Sequence, residues 1–153
     1  MQVAQGAVIR AFDIRCPCAA AGEIVQSIHF PRPPDQRQGV YECIGRTKLA
    51  DLAIASVTVL AYPDKGSPSG FRFRIALSSV GPTVILVHEV EKLLAEGPIN
   101  NPTLEKAARI AREHCKPIDD IRASQSYRRE MVYRLTLRAL GQVWDTLRKV
   151  KEG

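Results

Sequence analysis

Cysteine is scarce in this sequence and is poorly placed for a disulfide framework or a zinc site. The chain of 153 residues contains four cysteines. Cys16 and Cys18 flank a single proline, a spacing shorter than the Cys-x-x-Cys knuckle of zinc sites, and Cys43 and Cys115 stand alone. A disulfide-stapled scaffold is therefore excluded, and we expect reduced thiols in a cytoplasmic protein.

Long apolar runs are also missing. No stretch approaches the roughly 20 apolar residues that a membrane-spanning helix needs. Residues 1–14 lack the charged start and the apolar core of a secretory signal. We therefore expect neither a membrane span nor a signal peptide.

The net charge of +6 is not concentrated in any one part of the chain. The excess is +2 in residues 1–50, +1 in residues 51–118 and +3 in residues 119–153. A nucleic-acid-binding surface usually has a dense basic run, or aromatic side chains on which bases stack. Aromatic residues make up only 6% of this chain, so we expect no nucleic-acid partner.

The common catalytic motifs are absent as well. The sequence has no Gly-x-Gly-x-x-Gly, no phosphate-binding Walker loop, no Gly-x-Ser-x-Gly and no His-Glu-x-x-His. His88 precedes a glutamate, but no second histidine follows at helical spacing, so we place it on the exposed side of a helix. Asp119 and Asp120 form a carboxylate pair that could serve acid–base chemistry. Their position just before a long helix favours a capping role.

The first part of the chain reads as a leader followed by one strand. Residues 1–22 have weak periodicity and predict an extended or poorly ordered leader. Residues 23–30 alternate, which predicts a strand, and the run Pro-Arg-Pro-Pro at 31–34 ends it. We therefore divide the chain into a segment 1–34 and a domain 35–153.

The domain begins with strands and continues with helices. Strands are predicted at 40–45, 52–62 and 71–79, with the turn Pro-Asp-Lys-Gly-Ser-Pro-Ser-Gly between the last two. Helical spacing then predicts helices ending at Gly97 and near Cys115. This order predicts an α+β fold, with an antiparallel sheet of three to four strands packed against three helices.

The third helix, at about 124–149, has the clearest pattern. Apolar residues recur every four positions, namely Tyr127, Met131, Leu135, Ala139, Val143 and Leu147. Its arginines, among them Arg128, Arg129 and Arg138, are assigned to the outer face. Arg122 and Arg128 can also pair with Asp119 and Asp120.

Residues 117–140 carry a family resemblance. The pattern Pro-x-Asp-Asp-x-Arg-Ala-Ser, then Tyr-Arg-Arg and Arg-Ala-Leu, resembles the C-terminal signature of the flavoprotein (medium) subunit of molybdenum hydroxylases. That family includes carbon monoxide dehydrogenase and xanthine dehydrogenase. Further similar segments precede it in the family's order: residues 22–31, which resemble the strand closing the FAD-binding domain, 51–53, 74–77, 81–83 and 89–97.

The resemblance implies a place in an electron-transfer complex. In that family, electrons pass from a molybdenum site through iron–sulfur clusters to FAD. The implied partners are an FAD-binding domain, a molybdopterin-containing large subunit and an iron–sulfur small subunit. A homodimer is a further possible assembly. The Gly-rich FAD-binding domain has no counterpart before Gly22, so we expect no tightly bound FAD in this chain.

The resemblance also identifies the candidate cofactor-binding residues. The family tends to carry a Lys and an Arg near the flavin, where this sequence has Cys43 and Thr47. The neighbouring cations Arg46 and Lys48 are therefore the candidates for flavin contact; the alternative is that they are solvated loop charges. No catalytic residue or metal ligand is implied.

Two functions follow as hypotheses. The first is a C-terminal domain that flanks the flavin and docks partner subunits, and is not catalytic alone. The alternative is a stand-alone interaction or dimerisation module with no redox role.

Overall fold

The computed structural model describes residues 2–5, 8–11, 24–27, 32, 34–47 and 52–152. The chain divides into two compact units, Met1–Pro33 and Pro34–Gly153. The division lies in the proline-rich segment. The assignment of residues 1–34 to the end of an FAD-binding domain stays a prediction.

The first unit contains short antiparallel strands. They are β1 (Gln2–Gln5), β2 (Val8–Ala11) and β3 (Ile24–Ser27), in the order β2-β1-β3. Strand β3 lies within the predicted strand 23–30. The β1–β2 hairpin falls in the segment for which the sequence offered only an extended or poorly ordered leader.

The second unit is built on an antiparallel sheet in the order β4-β5-β6-β7. Its strands are β4 (Gln38–Ile44), β5 (Ala55–Pro63), β6 (Phe71–Ser78) and β7 (Ile85–Leu86). The β5–β6 turn is closed by Asp64, whose carboxylate accepts hydrogen bonds from the Gly66 amide (3.0 Å) and the Ser67 hydroxyl (3.1 Å). Gly70 ends the turn at a φ of 80°, a conformation that favours glycine.

Side-chain alternation gives the sheet one apolar face and one more polar face. In β6 the residues Phe71, Phe73, Ile75 and Leu77 are buried, while the intervening Arg72 and Arg74 are exposed. The register aligns this apolar row with Val57, Val59 and Ala61 of β5. Because side chains alternate between faces with a period of two, one face of the sheet carries the core.

In the described part of the chain, three helices cover that face. They are α1 (His88–Glu96), α2 (Asn101–His114) and α3 (Gln125–Glu152). Helix α3 packs on β4 and β5, α1 packs on β6, and α2 packs against both helices. The predicted α+β fold, an antiparallel sheet of three to four strands packed against three helices, is therefore confirmed, and the sheet of this unit has four strands. None of the helices in the described residues is long and apolar enough to cross a membrane.

The core lies between the sheet and the helices. Its largest fully buried side chains include Phe73, Ile75, Leu77, Leu94, Leu140 and Leu147. Burying each such side chain contributes about 1.5–3 kcal/mol. At its margin the rings of Phe71 and Trp144 meet edge to face, with centroids 5.6 Å apart and planes at 89°. This contact joins α3 to β6.

Helix α1 covers one edge of the sheet. The Glu91 carboxylate accepts a hydrogen bond from the Ile75 amide (3.2 Å), and the Val87 amide donates to the Ile75 carbonyl (3.1 Å). The Ser69 amide donates to the Ala95 carbonyl (2.9 Å). These bonds satisfy backbone groups of β6, and of Ser69 just before it, that the two-residue strand β7 does not reach. Strand β4 forms the opposite edge.

Candidate functional site

A buried arginine organises the end of the sheet where β5 begins and β6 ends. Arg128 lies in the first turn of α3 and is only 2% exposed. Its Nη1 donates to the carbonyl oxygens of Ile54 (2.6 Å) and Ser79 (3.0 Å). Its Nη2 donates to Oδ1 of Asp120 at 2.8 Å. One side chain therefore joins the helix to two strand ends and to the segment before the helix.

Asp120 is the counter-ion of this arginine and of a second one. Its Oδ2 accepts hydrogen bonds from Nε (3.0 Å) and Nη2 (2.7 Å) of Arg122, and its Oδ1 accepts from the amides of Arg122 and Ala123. The Arg122 side chain, followed by these amides and Arg128, holds the pKa of Asp120 far below its ordinary value, although burial opposes the shift. Asp120 is thus ionised at neutral pH, which suits a structural counter-ion and not a proton donor.

The neighbouring carboxylate caps the helix. Oδ1 of Asp119 accepts a hydrogen bond from the amide of Gln125, the first residue of α3, at 2.7 Å. The Ser124 hydroxyl accepts from the Tyr127 amide at 3.2 Å. The predicted capping role is confirmed for Asp119, and the predicted pairing of Arg122 and Arg128 is confirmed with Asp120.

Two assignments on α3 were wrong. Arg128 is buried and does not lie on the outer face, and Tyr127 is 42% exposed and does not open the apolar stripe. The first turn of α3 lies beyond the apolar face of the sheet, where strand ends present carbonyl groups. A guanidinium suits that position, since it donates several hydrogen bonds in a fixed geometry.

A cleft of about 450 Å³ opens above the Arg128 cluster. Its polar lining comes from Lys116, Asp120, Arg122 and Arg128, and its apolar lining includes Leu52, Ala53, Pro82, Pro117 and Ile118. Leu52 and Ile118 are 71% and 70% exposed, so their side chains are open to contact. The sequence motif at 117–128 supplies most of the polar lining, but its spacing gave no sign of a cleft.

Of the two predicted cofactor-binding residues, the structure describes one. Arg46 is exposed and lines a hollow of about 380 Å³ together with Cys43, Ile44, Gly45 and Thr47. Lys48 lies outside the described residues. Arg46 follows the end of β4, and its contact with a flavin stays a prediction.

Other reactive side chains have ordinary surroundings. His88 is exposed on α1, as predicted, and its Nδ1 lies 3.0 Å from Oε2 of Glu91. Cys43 and Cys115 are free thiols, and burial raises the pKa of the Cys115 thiol, which keeps it protonated. Within the described residues, no group of His, Cys, Asp or Glu could hold a metal ion.

Comparison with known proteins identifies the domain. The family model of the CO dehydrogenase flavoprotein C-terminal domain matches residues 40–143. The chain is 29% identical over 119 residues to the carbon monoxide dehydrogenase medium chain of Afipia carboxidovorans, covering 78% of this chain and 40% of that protein. It is 24% identical over 132 residues to subunit alpha of the 6-hydroxypseudooxynicotine dehydrogenase complex of Paenarthrobacter nicotinovorans, covering 86% and 44%.

A solved structure gives the same result. Reconstituted CO dehydrogenase from Oligotropha carboxidovorans contains a chain that matches with a TM-score of 0.80 and 25% identity. The match covers 93% of this chain and 51% of that one. This chain spans less than half the length of the two curated relatives named above. It belongs to the family of the CO dehydrogenase flavoprotein C-terminal domain.

Proposed function

We propose that this chain is the C-terminal part of an FAD-containing medium subunit in a cytoplasmic molybdenum hydroxylase, where it flanks the flavin and docks partner subunits. The observation that carries this proposal is the family match over residues 40–143, which includes most of the strand before Arg46 and the whole Arg128 cluster. Two of the relatives are named as parts of larger enzymes, a medium chain and a complex subunit.

The residues between β4 and β5, among them Arg46 and Leu52, suit one side of a flavin. FAD, when bound, supplies the electron-accepting ring. The exposed guanidinium of Arg46 would face its anionic or carbonyl-bearing edge, and the exposed side chain of Leu52 would be covered by an apolar part of the ring. Lys48 is proposed as a second cation beside the same edge of the flavin ring. The Arg128 cluster holds the carbonyl of Ile54, and so fixes the end of the segment that carries these residues.

The remaining partners follow from the family. We propose that an FAD-binding domain holds most of the cofactor, and that residues 1–34 are the closing part of that domain. A molybdopterin-containing large subunit and an iron–sulfur small subunit complete the electron path. The domain itself orients and covers the flavin and carries no reacting group, so we expect no turnover from it alone.

Purification of the tagged chain from its own cells tests the assembly. We expect it to copurify with bound FAD, molybdopterin and iron–sulfur clusters, measured by absorbance and metal analysis. Recovery of the chain without any of these groups would contradict the proposal, and would support the alternative of a stand-alone module.

A pair of variants tests the flavin contact. Arg46→Gln and Lys48→Gln should lower the FAD content of the purified complex, because each removes a positive charge beside the cofactor. Lys106→Gln is the matched control, since Lys106 is exposed on α2. Unchanged FAD content in the first two variants would remove them from the site. Tight binding of FAD to the isolated chain in a calorimetric titration would show that the cofactor is held here and not mainly by another domain.

A further inference from the structure

Strand β4 is a long and regular edge of the sheet. It pairs with β5 over all seven of its residues, from Gln38 opposite Ala61 to Ile44 opposite Ala55, without a register shift. Among the described strands, β5 is its only neighbour. The opposite edge is covered by α1, as the bonds of Glu91 and Val87 to Ile75 show. The described structure therefore covers one edge and leaves the other available.

The backbone groups that face outward from β4 can be assigned. The Ile44 carbonyl accepts a hydrogen bond from the Ile54 amide at 2.7 Å, so the backbone groups of Ile44 point towards β5. In an antiparallel strand, both groups of one residue point to the same side, and the side changes at each residue. The amides and carbonyls of Gly39, Tyr41 and Cys43 therefore point away from the sheet.

This edge has few of the features that usually prevent pairing. Edge strands are commonly protected by lysine, proline, bulges or inward charges. Strand β4 has no lysine and no proline. Its one charge, Glu42, is held by Arg138 and by Gln142 (2.9 Å) of α3. The three residues whose backbone faces outward are uncharged, and Tyr41 is 62% exposed.

We propose that β4 pairs antiparallel with β4 of a second copy of this chain, about a two-fold axis at Tyr41. Tyr41 is the central residue of the strand, so this register pairs all of it. Gly39 then lies opposite Cys43 of the second copy, and the two Tyr41 residues lie opposite each other. The three outward-facing residues of each copy form about six hydrogen bonds across the axis.

The side chains and charges suit a symmetric pair. On the open face, the two Tyr41 rings lie side by side, and the small residues Gly39 and Cys43 leave room on either side of them; cross-strand aromatic pairs stabilise antiparallel strands. The two Glu42 residues lie about 7 Å apart along the strands, on the face that the helices cover. Each Glu42 keeps its own Arg138 as counter-ion, which offsets the repulsion between the two carboxylates. This inference does not depend on the proposed redox role.

Sedimentation of the full chain and two lysine variants tests the pairing. We expect a concentration-dependent monomer–dimer equilibrium for the unchanged chain. Tyr41→Lys should weaken dimerisation at least about tenfold, because two like charges then face each other across the axis. Thr58→Lys is the control: Thr58 is exposed, lies opposite Tyr41 on β5 and faces the same side, but it is one strand further from the edge. A monomer at every concentration, or equal effects of both variants, would overturn the proposal.

A cross-linking variant tests the register and does not depend on Tyr41. A Cβ atom at Gly39 would meet Leu60 Cδ1 at 3.5 Å, an ordinary contact, so Gly39→Cys is tolerated. Opposed residues of such a pair have Cα atoms about 5.5 Å apart, within the range of a disulfide. With Cys16 and Cys18 replaced by serine, oxygen and a copper catalyst should oxidise the introduced thiol and Cys43 of the second copy to a disulfide-linked dimer.

Gly39→Ser in the same background provides the control. It should give no covalent dimer, because the two Cys43 residues lie about 13 Å apart in this register. A covalent dimer in the serine variant, or none in the cysteine variant, would rule out this register.

Discussion

Two arginines of α3 bond to carboxylates outside their helix; one arginine is buried and the other is exposed. Arg128 is 3% exposed in its side chain and shares Asp120 with Arg122, while it also bonds to two strand carbonyls. Arg138 is 57% exposed and contacts Glu42 of β4. Removing one partner of a buried pair leaves a charge without compensation, whereas water readily replaces an exposed partner. The carboxylates are about equally exposed, at 18% for Asp120 and 16% for Glu42, so we expect the burial of the arginine to decide how much each cluster stabilises the fold.

The largest effect is expected from Arg128→Met. The variant keeps an unbranched side chain but leaves the carbonyls of Ile54 and Ser79 without their guanidinium donor, and it reduces the partners of Asp120 to Arg122 and Ala123. We expect a loss of about 3–5 kcal/mol in the free energy of unfolding, measured by urea denaturation with circular dichroism. Arg129→Met is the control, because Arg129 is the adjacent, partly exposed arginine. A loss below about 1 kcal/mol would remove the distinction between the two clusters.

Asp120→Asn should have a smaller but clear effect. The amide oxygen can still accept hydrogen bonds, but two guanidinium groups lose their counter-charge. The pKa of Asp120 is lowered in the folded protein, so its stabilisation is present above the ordinary aspartate range and is lost as the pH falls towards the folded value. Urea midpoints between about pH 6 and about pH 2 should fall more steeply for the unchanged chain than for Asp120→Asn. Parallel curves would show that Asp120 does not carry this linkage.

Arg138→Met tests the exposed member of the comparison. We expect a loss of no more than about 1 kcal/mol, because Arg138 itself is 57% exposed and Gln142 still donates to the Glu42 carboxylate. The same urea series with Glu42→Gln and the double variant gives the coupling energy of the pair. A coupling as large as the effect of Arg128→Met would mean that burial is not the deciding factor.

The smallest effect is expected at Ile121. This residue is 95% exposed. It lies between Asp120 and Arg122, whose side chains bond to each other. Ile121→Ser should change the free energy of unfolding by less than about 0.5 kcal/mol. A larger loss would indicate that the loop, and not the arginine cluster, stabilises this end of the sheet.

The fold was largely readable from periodicity. The alternation at 71–79 and the four-residue spacing in the last helix depend on which side chains face the core, and both were confirmed, except at Tyr127. The strand Ile85–Leu86 was missed, because two residues are too few for a pattern. The hairpin of β1 and β2 was also missed, since its sequence has small residues and little alternation.

The contacts of the candidate site were harder to predict from the sequence than the fold. Helical periodicity assigns arginine to the outside of α3, and nothing local reveals that Arg128 meets the carbonyls of Ile54 and Ser79, which are far away in sequence. The motif around Asp120 did indicate that the carboxylate and the arginines pair, because they are close in sequence. Contacts between near neighbours were thus predictable, and the cleft, which four separate segments form, was not.

The edge-to-face contact of Phe71 and Trp144 has a practical consequence. Trp144 is the only tryptophan of the chain, and its ring lies at the junction of α3 with β6. Its fluorescence emission therefore arises from one known place and reports directly whether the helix is seated on the sheet. A variant that loosens α3 can be recognised from its emission spectrum alone, without any label.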